Sequence, residues 1–390
     1  NNWQAWFGGP TWTWEPRRRQ YYLHNFLSTQ PDLNFRNEAV RSAILEVARH
    51  WLAMGVDGFR LDVANYYVHD AQLRDNPPSG DPAPALPRNM QIHEFNSNQP
   101  ETLDFIAKVR ERVDGHGDNM TVGELAPGSY GLMVEYTKGS HRLHTAYAFD
   151  FLSAWPGVEK MADILAQWRE GPDDGWPSWA FSNHDVTRVA TRWGEAIGCP
   201  PPRAAPIFAA LLLSLRGTIF LYQGEELGLP EADVPFEKLQ DPWGIAGWPA
   251  TKGRDGCRTP IPWKDETLAG FSKSKDTWLP VDARQRLLAA DKQEKLAESM
   301  LHTTRSLVAL RKESTALSAG SFRVVHASEN LLVFDREHEG ERIQCVFNFG
   351  ASETTRAYDV KPSVIWTSDP VFNGSNLILP PFSAAILKLS

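Results

Sequence analysis

From Asn37 to Tyr222 the chain repeats one order, an amphipathic helix and then a short apolar strand. That order leaves few folds open. Val40, Ile44, Val47, Ala48, Trp51 and Leu52 share one helical face until Gly55 ends the run. The stretch VDGFRLDV then reads as a strand, Leu103 to Arg112 as a helix and Met120 to Leu125 as a strand. Tyr147 to Leu152, Trp179 to Ser182 and Thr218 to Tyr222 read as further strands. Strands alternating with helices imply parallel pairing, in a barrel or an open α/β sheet. Polar residues stand at the C-terminal ends of these strands: Asp62, Glu124, His184 with Asp185, and the run from Gln223 to Glu226. In a (β/α)8 barrel that end carries the active site.

Within GFRLDV, strand alternation puts Phe59, Leu61 and Val63 on one face and Arg60 and Asp62 on the other. Two opposite charges leaving an otherwise apolar strand form either a structural ion pair or part of a functional site. Asp62, Glu124 and Asp185 each end a strand. Singly, each could be a helix cap or a loop hydrogen-bond partner. Together they suit glycoside hydrolysis, which needs one carboxyl group to protonate the leaving oxygen and another to attack the sugar carbon or activate water.

The rest of the composition narrows the class. A net charge of −8 with no basic run beyond Arg17 to Arg19 argues against nucleic acid as the partner. The longest apolar run, Ile207 to Leu215, is too short for a bilayer, and no signal peptide is visible. Three widely spaced cysteines offer no zinc or redox spacing and favour a reducing compartment, so the expected localisation is cytoplasmic. Fifteen tryptophans are many; such rings stack on sugars or fill cores. Before Asn37 the chain reads as loop and small strands. After the helix Leu296 to Lys312, short alternating segments read as antiparallel β structure.

GFRLDV, VGEL and SNHD, in this order, resemble three signature regions of the α-amylase family of glycoside hydrolases. QPDLN (Gln30 to Asn34), GRDGCRTP (Gly253 to Pro260) and the β-rich tail resemble its oligo-1,6-glucosidase and α-glucosidase branch, so the likeness runs through essentially the whole chain. The resemblance implies a (β/α)8 TIM barrel with a small inserted domain and a C-terminal antiparallel β domain. The divisions expected are 1–36 for the end of the inserted domain, 37–317 for the barrel from its third helix onward, and 318–390 for the β domain. It implies Asp62 as nucleophile, Glu124 as general acid and then base, and Asp185 as transition-state stabiliser. Arg60 would orient Asp62 and keep it ionised, and His184 would hydrogen-bond sugar hydroxyls. Glu124 must keep its proton near neutrality, so an apolar or anionic surrounding should raise its pKa, with Asp62 and Asp185 as sources of the field. Phe7 and Phe26 resemble aromatics that wall the glucose pocket, or are ordinary core. Of Arg254 and Arg258, one would close the pocket end, and Arg254 is preferred.

The family pattern also holds three barrel strands, a calcium-binding loop and a DxxxNH signature ahead of the inserted domain, and none is found here. The resemblance therefore implies no cofactor, leaves room for a structural calcium in that N-terminal part, and makes the N-terminal barrel segment a needed partner. A polypeptide starting at Asn1 is expected to be inactive and poorly soluble by itself. Nothing in the sequence sets the oligomeric state. Two features disagree on linkage. Val63 after the nucleophile looks like the α-1,6 pattern, whereas the long loop with DNPP at Asp75 to Pro78 resembles α-glucosidases that act on maltose and transfer glucose to alcohols. The loop is preferred, because an insert over a pocket mouth constrains aglycone geometry more than a methyl group does. The expected function is thus an α-glucosidase taking small α-glucosides and alcohol acceptors. A non-catalytic, glucosidase-like interaction protein is the alternative of another class, and three intact acidic residues weigh against it.

Overall fold

The computed structural model describes residues 1–84, 87–126, 130–167 and 175–389. The described residues within Asn1–Ala148 and Gly171–Trp176 form one compact unit, and those within Phe149–Glu170 and Pro177–Ser390 form the other.

The first unit opens with an antiparallel hairpin, β1 (Trp12–Glu15) and β2 (Gln20–Leu23), registered Trp12 to Leu23. Helix α1 (Glu38–Ala53) starts where the Asn37 side chain accepts from the Ala39 amide at 2.9 Å. Next come β3 (Gly58–Leu61), α2 (Glu101–Asp114), β4 (Met120–Leu125), α3 (Tyr130–Thr137) and β5 (Thr145–Ala148). The strands pair in parallel in the order β3-β4-β5. Gly58 is required where it stands: its φ is +145°, and a Cβ there would lie 1.8 Å from the Met120 carbonyl oxygen. Of α1 only Leu52 is buried. The expected core face of the helix instead lines a cavity of about 600 Å³, through Ile44, Val47, Ala48 and Trp51.

The second unit contains α4 (Val158–Ala166), β6 (Ser178–Trp179), α5 (Val189–Ile197), α6 (Pro201–Ser214) and β7 (Thr218–Ile219). Strands β6 and β7 pair in parallel. An aromatic core surrounds fully buried Trp193, whose ring centroid is 4.7 Å from that of Phe181 and 5.5 Å from that of Phe208. Short helices α7 (Pro242–Gly247), α8 (Ala283–Arg286) and α9 (Ala290–Gln293) precede α10 (Met300–Glu313) and α11 (Thr315–Ala319).

Eight strands end the chain: β8 (Ser321–Ala327), β9 (Leu331–His338), β10 (Glu341–Asn348), β11 (Thr354–Ala357), β12 (Ser363–Thr367), β13 (Val371–Asn373), β14 (Asn376–Leu379) and β15 (Ser383–Leu389). They form antiparallel sheets ordered β12-β15-β10-β9-β8 and β11-β14-β13. Val333, Val346, Leu377, Leu379, Ala385 and Leu387 make one buried cluster there. Glu339 and Gly340, both at positive φ, close the two-residue loop between β9 and β10, the backbone shape that a tight hairpin needs. Cys199, Cys257 and Cys345 are free, buried, and all in this unit.

Several expected strands are shorter than their apolar runs. β5 stops at Ala148, and the chain turns as the Leu152 amide reaches the Phe149 carbonyl at 3.1 Å. β6 stops at Trp179, and beyond it the Ser182 hydroxyl accepts from the Val189 amide and the Asn183 amide oxygen from the Asp185 amide. β7 stops at Ile219, and shortly beyond it the Tyr222 amide donates to Glu225 at 2.7 Å. Alternation also fails at Val63. Strand β3 ends at Leu61, and Val63 adopts left-handed φ 38°, ψ 49°, so it does not continue the Phe59 and Leu61 face.

Candidate active site

The ladder of the first unit pairs Leu61 with Gly123 and Glu124 with Tyr147. Asp62 follows directly on the last residue of β3, as Glu124 follows Gly123 on β4. Glu124 and Tyr147 thus stand side by side near the C-terminal ends of their strands, with Asp62 just past the end of the neighbouring one.

Arg60 binds these three residues together. Its Nη1 donates to Asp62 Oδ1 at 2.6 Å, its Nη2 to Glu124 Oε2 at 2.6 Å, and its Nε and Nη2 to the Tyr147 hydroxyl at 3.1 and 2.9 Å. A planar guanidinium with donors in a fixed fork can serve three acceptors at once, which a lysine cannot. Burial acts to lower the Arg60 pKa, but its bond to Asp62 and the charges around it raise it overall, so it remains a cation. Asp62 is largely open, with 71% of its side chain exposed, whereas Glu124 keeps only 5%. Burial pushes the Glu124 carboxyl up to about 7; the Arg60 charge opposes that push and Asp62 adds to it. Of the two field sources expected for Glu124, Asp62 is found among the causes, behind burial itself.

The turn after β3 also serves Glu124. The Val63 amide donates to Glu124 Oε2 at 3.2 Å from its left-handed backbone. A β-branched residue at positive φ is strained by about 1–3 kcal/mol, and such strain persists only where the surroundings impose it. Asn65, fully buried, exchanges two bonds with the backbone of Ala126: its Oδ1 accepts at 3.2 Å and its Nδ2 donates at 3.1 Å. That pair ties the turn beyond Asp62 to the strand end beyond Glu124.

Phe7 and Phe26 meet in this unit, with centroids 6.3 Å apart. Phe26 also stacks on Trp6 at 6.2 Å and tilts against Tyr66 at 6.0 Å. Phe26, Tyr66, Arg60 and Asp62 all line the 600 Å³ cavity.

A second cluster, within the other unit, is built on Asp185. Its Oδ1 accepts from Arg254 Nη1 and from Arg258 Nη2, each at 3.0 Å, and its Oδ2 lies 3.3 Å from His184 Nε2. Both arginines expected near the pocket end, Arg254 and Arg258, reach this carboxylate. Arg258 Nε also donates to the His184 carbonyl at 2.6 Å. Arg254 is aligned by Asp241, which accepts from its Nε and Nη2 at 2.9 Å each and from its backbone amide at 2.8 Å. Burial would raise the Asp241 pKa, but these bonds outweigh it and hold the carboxylate below its usual range.

Sequence reasoning missed Tyr147, Asn65, Asp241 and the Val63 amide. Tyr147 escaped because a strand drawn from 147 to 152 puts it at the wrong end, whereas the observed strand makes it the partner of Glu124. Among the described residues no three His, Cys, Asp or Glu side chains are grouped to hold a metal ion. No single helix among them is long and apolar enough to cross a membrane.

Known proteins resemble this chain over most of its length. The model of the alpha amylase catalytic domain matches residues 1–320. A probable alpha-glucosidase of Rhizobium meliloti is 43% identical over 371 residues, 93% of this chain and 67% of that protein. An oligo-1,6-glucosidase of Heyndrickxia coagulans is 30% identical and is matched over 100% of this chain and 75% of its own. Among solved structures, the alpha-glucosyl transfer enzyme XgtA superposes with a TM-score of 0.91 at 43% identity, covering 100% of this chain and 74% of that one.

Proposed function

The chain belongs to the α-amylase family, as a glycoside hydrolase of the α-glucosidase type on a TIM-barrel catalytic domain, and from that premise we propose that it hydrolyses terminal α-1,4-linked glucose from maltose-like glucosides with retention and transfers glucose to alcohols. The observation that carries this reading is the single guanidinium of Arg60 shared by an open carboxylate, Asp62, and a buried one, Glu124, whose pKa lies near 7.

Two carboxyl groups in unlike surroundings divide the chemistry between them. Glu124, protonated near neutrality, delivers its proton to the glycosidic oxygen as the C1–O bond breaks. Asp62 attacks C1 from the other face and forms a glycosyl ester. Glu124, now a carboxylate, takes a proton from water or an alcohol, whose oxygen displaces Asp62 and restores the α anomer. Arg60 donates to both carboxylates through this exchange, and the negative charge moves between groups that it already holds. Asp185, fixed by Arg254 and Arg258, serves as the transition-state stabiliser in this reading, and His184 binds sugar hydroxyls. The chemistry needs no cofactor, and three buried free thiols fit a reducing compartment. Transfer to alcohols draws support from the glucosyl transfer enzyme in the comparison.

A second reading, α-1,6 hydrolysis, rests on Val63 directly after Asp62 and on the Heyndrickxia relative. Proton NMR of maltose and isomaltose, following the anomer of newly released glucose, separates the two. Faster release of α-glucose from maltose supports the proposal. Release of β-glucose would remove retention, and faster turnover of isomaltose would move the assignment to the second reading.

A further inference from the structure

The loop that follows the nucleophile turns back onto an aromatic wall of Trp6, Phe7, Phe26 and Tyr66, of which Phe26 and Tyr66 line the cavity. It grips that wall at two points. Trp6 and Asn25 are joined by the Trp6 amide donating to the Asn25 carbonyl at 2.9 Å, and Phe7 and Phe26 are the next residues along each segment. Asn96, 1% exposed, donates from Nδ2 to Asn25 Oδ1 at 2.9 Å and accepts from Asn76 Nδ2 at 2.9 Å. Asn25 also gives its amide and its Nδ2 to Asp32 Oδ2, at 3.1 and 2.5 Å, so each of its polar groups is engaged. On the other side, the Arg88 guanidinium carbon sits 3.9 Å from the Trp6 ring centroid while Nη1 donates to the Trp6 carbonyl at 2.9 Å. His93 spans the two anchors, with Nε2 3.0 Å from the Arg88 carbonyl and Nδ1 3.2 Å from Asn96 Oδ1.

We propose that Arg88 and Asn96 are positioning residues that set linkage selectivity by fixing Trp6 and Asn25, and through them Phe26, which lines the cavity together with Asp62. A cation over a tryptophan face and a hydrogen bond to the same residue's carbonyl constrain both its ring and its backbone. The Trp6 ring lies parallel to that of Phe26, 4° apart with centroids 6.2 Å from each other, so fixing Trp6 fixes the surface that Phe26 packs on. Phe26 and Asp62 line the same cavity, so its width at the nucleophile depends on Arg88 and Asn96, whose bonds go to Trp6 and Asn25 and not to the carboxylates. The inference rests on the α-glucosidase reading for its substrate.

The test uses Arg88→Met, which keeps the bulk but removes the charge and the donors, and Arg88→Lys, which keeps the cation, all in the full-length protein. The kcat/KM ratio of maltose to isomaltose should fall at least fivefold in Arg88→Met, chiefly through the maltose KM, with partial recovery in Arg88→Lys. Hydrogen exchange should speed up at the Trp6 amide in Arg88→Met, a readout independent of substrate. A ratio within twofold of wild type in Arg88→Met overturns the inference and leaves the glucosidase reading standing, as does an unchanged Trp6 amide. A wild-type protein that releases glucose from neither disaccharide overturns that reading and, with it, the selectivity role, even where exchange shows the clamp to be real.

Discussion

Glu124→Gln should make the protein more stable in alkaline solution while abolishing turnover. The Glu124 carboxyl lies at about 7 in the folded chain against an ordinary 4.5, with burial as the leading cause. Below pH 4.5 the folded and unfolded chains both hold this proton, and the group costs nothing. Between 4.5 and 7 the unfolded chain has lost it and the folded chain has not, so the folded state binds more protons and stability falls as pH rises. Above 7 both are ionised and the full cost remains. At about 1.4 kcal/mol per pH unit, the gap is worth about 3 kcal/mol. Glutamine has no proton to lose. It can still accept from Arg60 Nη2 or the Val63 amide, so any loss from those bonds is nearly independent of pH. Urea unfolding followed by tryptophan fluorescence, run at about pH 5 and about pH 8, should show the stability of Glu124→Gln relative to wild type rising by about 2–3 kcal/mol between the two. A difference that stays flat, or that favours wild type at the higher pH, would refute the assignment of a raised pKa to Glu124 and its use as an acid at neutrality.

Tyr147→Phe removes the hydroxyl that accepts twice from Arg60; hydrogen bonds to charged groups are worth about 1.5–3 kcal/mol, so kcat should drop roughly tenfold or more with KM nearly unchanged, as steady-state kinetics on maltose would show. Arg60→Lys keeps the charge but loses the fork. Its kcat should fall on the order of a hundredfold while circular dichroism stays that of wild type. Asn65→Ala cuts the paired bonds to Ala126; it should cost about 2–4 kcal/mol in chemical denaturation and lower kcat in those molecules that remain folded. Fully buried Arg336 donates to the carbonyls of Ser214, Gly320 and Ser321. Arg336→Met should lower stability by about 3 kcal/mol and leave KM where it was, by the same two measurements.

The sequence and the structure agree most closely where periodicity and chemistry point the same way. The spacing from Val40 to Leu52 predicted a helix and Asn37 its start, and the helix runs from Glu38 to Ala53. The strand carrying Glu124 lies where its apolar run ends. What periodicity could not show was how far each ladder continues. Trp179 to Ser182 and Thr218 to Tyr222 look as strand-like as Met120 to Leu125, but β6 and β7 stop at Trp179 and Ile219, and the Glu225 side chain takes the Tyr222 amide at the end of the second run. At the candidate site, charged motif residues were legible because charge in an apolar strand is conspicuous. Tyr147 and Asn65 were not, because a tyrosine or asparagine at a strand end is ordinary until the register shows what it faces. Val63 was read through its side chain, as a linkage marker, while the structure adds its backbone N–H.

The thiols supply a built-in way to watch one part of the molecule open. All three sit in the second unit, at the turn between α5 and α6, between the two arginines that hold Asp185, and in the middle of β10, while the first 148 residues contain none. Each is shielded from reagent, and burial pushes the Cys199 thiol up to about 11 and those of Cys257 and Cys345 up to about 12, so few are thiolates at neutral pH. Alkylation must therefore wait for a local or wider opening at each position. Three labelling rates, separated by peptide mass, time the breathing of a helical corner, an arginine cluster and a β-sheet in one experiment, without an added probe and without signal from the strands that carry Asp62 and Glu124.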